Sequence, residues 1–449
     1  MERIDILARH GLFDARAPRY TSYPAAPHFV PSVGPATHAD WLGAIPEGGG
    51  VSLYVHIPFC RRLCWFCACR TQGTRTDAPL QPYLDALKTE IATVAAHMPQ
   101  VSVRRLHLGG GTPTILSADM LRELGAALTD EFTFAPDAEV AVEIDPTMID
   151  DDRLDALVQL GLTRASIGIQ DFAPGVQAAI GREQSYEQTR IAVEGLRARD
   201  VTGLNLDLLY GLPFQTISTI ERTIDQALSL GPDRIALFGY AHVPWMARRQ
   251  VMIPADALPD ARARFALAES ATSRLRDAGL TAIGIDHFAR PEDPLARAQA
   301  AGKLRRNFQG YVDDDTDVLI GLGASAISRF PQGYAQNDPA TSTWKATARD
   351  GRLATIRGHA FDDDDRLRGT MIERLLCDFR IDPADIAHRA GVPEAQVRVL
   401  TDDLALRWPE AIRQGSAGEI EIALPALARL VARDLDAYAA PPERHSLAV

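Results

Sequence analysis

The 449-residue sequence has no run of about 18 consecutive apolar residues, so it offers no segment that could cross a bilayer as a helix. Its opening, Met1 to Gly11, lacks the apolar core of a secretory signal, and its acidic residues argue against a mitochondrial transit peptide. A cytoplasmic location is the resulting expectation. Positive charge is in deficit. A formal net charge of -12 leaves no electrostatic footprint for nucleic acid and repels polyphosphate at long range, so any anion binding must come from local arginine clusters. Repeats and low-complexity linkers are also missing, apart from an Ala/Pro-rich stretch after Tyr438 that is expected to fray. With 46% apolar and 24% charged residues, what remains is an ordinary globular composition with material for a large core. The length suggests about three domains, although α/β barrels of ~250 residues commonly form one unit.

Cysteine is sparse, five residues in all, yet four of them fall within one ten-residue stretch: Cys60, Cys64, Cys67 and Cys69, directly after the apolar run Val51–Phe59. Three thiolates at C-x3-C-x2-C spacing can wrap three irons of a cubane iron–sulfur cluster and leave the fourth iron open. An open iron means chemistry rather than electron transfer alone. The spacing differs from the C-x2-C pairs of zinc ribbons and from the ferredoxin run. Disulfides among cysteines so close would need strained small loops, and nothing else suggests an oxidising compartment.

After residue 50, short β-branched runs alternate with longer amphipathic stretches. Strands are expected near 51–56, 103–108, 139–144, 165–170, 203–209 and 234–240, and helices over 79–96, 117–129, 153–160, 186–199 and 216–230. Such βα units predict a partial α/β barrel, with a seventh strand near Thr281–Ile285 after a helix over 256–278. In this fold the site lies at the carboxyl ends of the strands. The expected ends carry Tyr54 and His56, the turn Gly109–Pro113, Glu143 and Asp145, Gln170 and Asp171, Asn205 and Asp207, then Tyr240 and His242. Polar groups facing a barrel interior need a partner or a ligand. Beyond the Asp362–Asp365 stretch, helices over 366–377, 383–390 and 393–404 and a strand near 419–424 suggest a small winged-helix-like unit. Asp402 and Asp403 on its third helix, the one in the place of a recognition helix, disfavour DNA binding and favour a cap over the barrel mouth.

The cysteine loop resembles the signature of the radical S-adenosylmethionine enzymes. With Arg19–Pro24, Cys69, His287–Pro291 and Arg306–Tyr311, the chain resembles the oxygen-independent coproporphyrinogen III oxidase (dehydrogenase) family from about residue 15 to 340. The resemblance implies a partial (β/α)6 barrel over 51–290, an N-terminal extension or lid over 1–50, a connecting segment over 291–360 that completes the substrate site, and a mainly helical domain over 361–449. It implies one [4Fe-4S] cluster on Cys60, Cys64 and Cys67. A first S-adenosylmethionine would touch Tyr54, Gly110 and Glu143. A second would touch Phe66, Gly111, Thr112, Gln170, Arg182, Asp207, Ala241 and Ile327. Cys69 would be a functionally needed thiol that does not ligate the cluster, acting as proton donor or reductant.

From the residues alone, the charges of Arg182 and Asp207 suit either the two ends of an amino-acid ligand or a structural ion pair at the barrel rim. The Arg19–Pro24 segment fits either a packing strap under the barrel or part of a substrate-side lid, and its removal is expected to leave the barrel folded. His287, Arg290, Arg306 and Asn307 are candidates for anchoring substrate carboxylates. Cys377, in an amphipathic stretch, reads as an inert core cysteine. By resemblance, a 5′-deoxyadenosyl radical takes hydrogen from the β-carbons of two propionates, and coproporphyrinogen III becomes protoporphyrinogen IX in haem biosynthesis. A monomer served by a low-potential electron donor such as flavodoxin or ferredoxin is implied. The runner-up is a haem-chaperone branch of the same family, which lacks Arg19–Pro24, the fourth cysteine and Arg306–Tyr311.

Overall fold

Alternating apolar side chains build six strands that lie parallel and side by side in chain order: β1 (Gly50–Ile57), β2 (Ser102–Gly110), β3 (Thr133–Ile144), β4 (Arg164–Gln170), β5 (Gly203–Tyr210) and β6 (Arg234–Gly239). The computed structural model describes residues 2–314, 316–438 and 447–449. Helices Leu80–Ala95, Ala118–Glu131, Asp151–Gln159, Tyr186–Arg197 and Ile217–Ser229 return the chain between strands, which is the expected partial barrel. Their starts are written in the sequence. Ser117, Asp150, Ser185 and Thr216 each accept a backbone N–H three residues on, and Ser185 and Thr216 complete capping boxes. Leu53, Val55, Leu106, Leu108, Val142, Ile167 and Leu206 are buried in one continuous apolar cluster.

The seventh strand is placed differently from expectation. Thr281–Ile283 follows the helix Ala261–Asp277, but it pairs antiparallel with His287–Ala289 at the outer edge of the sheet. The tight turn between these two strands folds the segment into a hairpin, and its second arm takes the free edge of β6. The additional parallel neighbour is Leu319–Leu322, on the opposite side beside β1. Ile327–Phe330, Gly333–Asn337 and Thr355–Ala360 then extend that side antiparallel, giving twelve strands in one sheet.

Glu90 fastens this extension to the barrel. Its buried carboxylate accepts from Gly323 N at 2.6 Å, Asn337 Nδ2 at 2.7 Å and Trp344 Nε1 at 2.9 Å. Burial raises its pKa to about 7 in spite of those donors. Glu90→Ala leaves three buried donors without an acceptor, so it is expected to destabilise the fold by on the order of 3 kcal/mol or more, and Glu90→Gln by less. Urea unfolding of the two variants checks this.

The C-terminal part holds the helices Asp363–Asp378, Pro383–Ala390 and Glu394–Arg407, a three-stranded antiparallel sheet whose first strand, Arg380–Ile381, lies between the first two of them, and the helix Ala428–Leu435, an arrangement that fits the winged-helix-like expectation. The N-terminal segment is part of the same packing. Leu7, Leu12, Phe13, Tyr20 and Tyr23 share an apolar cluster with Leu367, Met371, Leu375 and Leu430. Removing residues 1–24 therefore opens the C-terminal core, a cost that the sequence pattern did not reveal. Five successive carbonyls of this segment are held by arginines. Arg433 donates to Arg16, Arg429 to Ala17 and Pro18, and Arg306 to Arg19 and Tyr20.

Within the stretch expected to fray, residues 439–446 lie outside the described residues. Beyond them, Leu447 pairs with Arg16, and Ala448 and Val449 are buried. No helix among the described residues is long and apolar enough to cross a membrane.

Candidate active site

Side chains at the carboxyl ends of the barrel strands converge on a cavity of about 1010 Å³. Cys60, Cys64, Cys67 and Cys69 line it with Phe66, Gly110, Gly111, Thr112, Glu143, Gln170, Arg182, Asp207 and Ala241. Tyr54 and Ile327 do not. They line a smaller cavity of about 240 Å³ together with His56, His107 and Phe308, and Glu143 borders both spaces.

The cysteine loop is held from three sides. Trp65 N donates to Ile180 O at 2.9 Å, and its ring packs against Gly181, where an added Cβ would come within 2.8 Å of the indole. Gln250 Nε2 donates to Phe66 O at 2.8 Å and to Ala241 O at 3.0 Å, tying the loop to the end of β6. Arg249 Nη2 donates to Cys69 O at 3.2 Å and to Thr71 Oγ1 at 2.8 Å. Burial pushes the Cys60 thiol up to about 11, against a hydrogen bond with Thr112. The hydrogen bond between the Cys67 and Cys69 side chains holds Cys67 below the usual thiol range and Cys69 above it. Among the described residues no three His, Cys, Asp or Glu groups converge as they would on a single metal ion. Three thiols spaced around one cavity suit a multi-iron cluster better than one tetrahedral ion.

Each of the three glycines at the end of β2 is required by a close approach. A Cβ on Gly109 would stand 2.7 Å from Glu143 Oε1, one on Gly110 2.6 Å from the His56 ring, and one on Gly111 2.6 Å from Phe59 O and 3.0 Å from Cys60 Sγ. Gly110 also has φ +110, which L side chains rarely adopt. The backbone thus forms a cradle beside the cysteines that a side chain would fill. Glu143 fixes one rim of it, accepting from Gly110 N at 3.1 Å and meeting His107 Nε2 at 3.3 Å. His56 Nε2 donates to Arg70 O at 3.3 Å, so its Nδ1 accepts from the Tyr54 hydroxyl at 2.9 Å. This chain of bonds couples β1 to the end of the cysteine loop. Burial holds Tyr54 well above the usual phenol range and lowers His56.

Arg182 and Asp207 are not bonded to each other, which removes the rim ion pair as their explanation. Arg182 donates from Nη2 to Gly168 O at 2.7 Å and from Nη1 to Cys64 Sγ at 3.5 Å, while its buried Nε has no partner. Asp207 accepts from Asn205 Nδ2 at 2.8 Å and from Ser166 Oγ at 3.2 Å. Burial, reinforced by the negative charge of Glu143, pushes Asp207 up to about 6. Gln170 ends β4 at φ +72, beside a register shift that turns it toward the cavity. A non-glycine held there stores strain of ~1–3 kcal/mol, as ligand-facing positions often do.

The expected carboxylate anchors are engaged elsewhere. Arg290 donates to Pro232 O, Arg306 to the carbonyls of Arg19 and Tyr20, Asn307 accepts from Gln309 N, and His287 pairs with Asp286. None of the four lines the main cavity. Four other arginines do: Arg19, Arg62, Arg182 and Arg249. Of these the sequence reading passed over two: Arg62 lies inside the cysteine loop, between Cys60 and Cys64, which was the available signal for it, whereas Arg249 is distant in sequence and no motif marks it. Asp171 is a structural group that accepts from Gln215, Thr223 and Ala173. Ala17, Pro18, Arg19 and His28 line the cavity, so the N-terminal segment lies over the barrel mouth and not beneath the barrel.

Residues 54–227 match the model of the radical SAM superfamily. An oxygen-independent coproporphyrinogen III oxidase of Paracoccus denitrificans is 53% identical over 452 residues, covering 100% of both chains. One of Cereibacter sphaeroides is 52% identical, covering 98% of each. The solved structure of coproporphyrinogen III oxidase from Escherichia coli, described as a radical SAM enzyme, superposes with a TM-score of 0.88 at 36% identity, covering 94% of this chain and 98% of that one. Similar in sequence and in fold over nearly its whole length, this chain belongs to the family of oxygen-independent coproporphyrinogen III oxidases, within the radical SAM superfamily.

Proposed function

We propose that the chain converts coproporphyrinogen III to protoporphyrinogen IX without oxygen, turning two propionates into vinyl groups with release of two carbon dioxide molecules. The observation that carries this reading is the shared cavity. Cys60, Cys64 and Cys67 face Glu143, Asp207 and four arginines across a space at the upper end of small-molecule pockets. In this reading those three cysteines hold one [4Fe-4S] cluster. Tyr54, Gly110 and Glu143 bind one S-adenosylmethionine, and Phe66, Gly111, Thr112, Gln170, Arg182, Asp207 and Ala241 bind a second. Ile327 reaches that set only from the smaller cavity across Glu143. When bound, the cluster and cofactor would supply a carbon-centred radical able to take one hydrogen atom from a propionate β-carbon; the carboxylate then leaves as carbon dioxide and the one remaining electron passes to a one-electron acceptor, once for each vinyl group formed.

The protein supplies the rest. Arg182 has a free Nε for a carboxylate, and Asp207 can accept from an amino group or ribose hydroxyls. Arg62 and Arg249 provide positive charge at the mouth for the propionates that remain. The N-terminal roof excludes water during turnover; the C-terminal helices, expected as a cap, contribute no residue to the cavity lining and instead pack against that roof. Cys69 stays free as a thiol beside the reacting centre.

The test is an anaerobic incubation with coproporphyrinogen III, S-adenosylmethionine and a low-potential reductant, followed by oxidation and separation of the pigments. Protoporphyrin and two carbon dioxide molecules per substrate are expected. Recovery of unchanged substrate from a protein that instead retains haem would assign it to the chaperone branch.

A further inference from the structure

The main cavity is too small for all that the reading above places in it. A space of about 1010 Å³ stands at the upper limit for a single small ligand. A cluster, two cofactor molecules and a tetrapyrrole with four propionates need more. A second chamber of about 720 Å³ lies against the first, and Arg19, Phe238 and Gly239 are walls of both. Its other walls include the helix Ala261–Asp277, the hairpin formed by Thr281–Ile283 and His287–Ala289, and residues 447–449.

The charge of this chamber runs against that of the whole protein. Among the described residues, five arginines and three carboxylic side chains line it, in a chain of net charge -12. Glu269 is paired with Arg3 at 2.7 Å, and Asp286 is held by His287 at 2.6 Å. Arg19, Arg264 and Arg429 bond to main-chain oxygens and to no Asp or Glu side chain among the described residues. Arg19 Nη2 donates to Gly239 O, and Arg429 Nη1 to Ala448 O at 3.1 Å. Arg264 Nη1 donates to Tyr240 O and its Nη2 to Val449 O, both at 2.8 Å, while its buried Nε has no partner. Burial and the nearby charge of Arg19 both lower Arg264, and they bring Arg429 down to about 10. Three guanidinium groups share one carboxylate, that of Asp286, which His287 already holds. Leu12, Phe265 and Phe288 add an apolar wall. Such a space fits a ligand that is apolar in its body and carries a carboxylate at its edge.

We propose that the chamber is a carboxylate subsite for the tetrapyrrole, in which one propionate that does not react passes beside Arg19 and lies among Arg19, Arg264 and Arg429. The inference rests on the tetrapyrrole reading above and leaves the other unreactive propionate to Arg62 and Arg249. Arg19 decides entry, since it belongs to both spaces. Its Nη2 is spent on Gly239 O, and its Nε and Nη1, without an acceptor among the described residues, remain for the carboxylate. A macrocycle anchored this way stays on the protein between its two decarboxylations.

The experiment uses the reconstituted full-length enzyme and its Arg19→Gln, Arg19→Lys and Ala268→Trp variants. Ala268 is half-buried, lines the chamber and does not line the main cavity, so the added indole fills the chamber and leaves the cysteine loop untouched. Binding of coproporphyrin III, the stable oxidised form of the substrate, is read by fluorescence titration. Pigments from anaerobic turnover are separated by their number of carboxylates. Arg19→Gln and Ala268→Trp are expected to weaken binding by ~10-fold or more and to release the tricarboxylate that has lost one carbon dioxide. Arg19→Lys should recover part of the binding. Iron content should match the wild type in all three, and Ala268→Trp should still cleave S-adenosylmethionine in the absence of tetrapyrrole.

Wild-type affinity with complete double decarboxylation in both Arg19→Gln and Ala268→Trp would overturn the proposal and leave Arg19 as a clamp on Gly239. Weak binding in Arg19→Gln that Ala268→Trp does not share would overturn it too, by assigning Arg19 to the main cavity alone. Failure of the functional reading is separable. The wild type would then form no protoporphyrin, while the titrations of wild type and Ala268→Trp would still report whether the chamber takes a polycarboxylate.

Discussion

Cys64→Ala is expected to abolish cluster assembly, with iron falling from about four per chain to near zero and the cluster absorbance lost. Cys60→Ala and Cys67→Ala should do the same. Cys69→Ala and Cys377→Ala should retain the iron, the first with impaired turnover. The geometry explains the division. Cys64 is buried, with its Sγ 3.5 Å from Arg182 Nη1 at the cavity wall. Cys377 lies in an apolar cluster with Ile283, Leu295 and Tyr311, where burial pushes its thiol far above the usual range and leaves it inert. Iron assay and the reduced-state electron paramagnetic resonance signal of each variant decide the matter. An intact cluster in Cys64→Ala would remove the three-thiol assignment.

Asp207→Asn is expected to act in opposite directions on stability and on function. The folded carboxyl titrates at about 6, raised by burial and then by the charge of Glu143. An unfolded aspartate titrates near ~3.9. Between those values the unfolded chain ionises first, so this group's effect on stability becomes less favourable as pH rises through the window. Above it, the ionised Asp207 costs about 3 kcal/mol in the cofactor-free protein. The asparagine is neutral, can still accept from Asn205, and can donate to Ser166. Cofactor-free Asp207→Asn should therefore unfold at a higher temperature than the wild type at pH 7, and the difference should vanish below about pH 4. Cofactor binding should weaken by ~2–5 kcal/mol, as for loss of a buried charged partner. Thermal scans across pH, with calorimetric titration of S-adenosylmethionine, test both halves. A destabilised variant with normal cofactor affinity would make Asp207 a structural residue.

What the sequence made legible was local. The six barrel strands and their returning helices appear within a few residues of their expected bounds because period-2 and period-3.6 patterns, with Ser, Thr and Asp caps, depend only on neighbours in the chain. The cysteine spacing pointed to a cluster loop for the same reason. Pairing across long separations was not legible. Nothing local says that Leu319–Leu322 lies beside β1, or that the arm His287–Ala289 takes the edge of β6.

The arginines misled for a related reason. An Arg in a conspicuous motif looks like a ligand anchor, but Arg306 and Arg290 donate to backbone carbonyls, which no side-chain pattern advertises. Arg249 reaches the cavity from a position without a motif, and Arg62 from between two of the cysteines. The separation of Tyr54 and Ile327 from the main cavity depends on the Glu143 side chain that borders both spaces.

The arginine-held carbonyls of residues 16–20 also set an order of assembly during protein synthesis. This roof segment leaves the ribosome first, whereas Arg306, Arg429 and Arg433 come late or almost last. At ~5–20 residues per second, roughly 20–80 s separate residue 20 from residue 433. The cysteine loop is translated by residue 69 and stands uncovered throughout that interval. The roof of the cavity is therefore held in full only once the helix Ala428–Leu435 has been made.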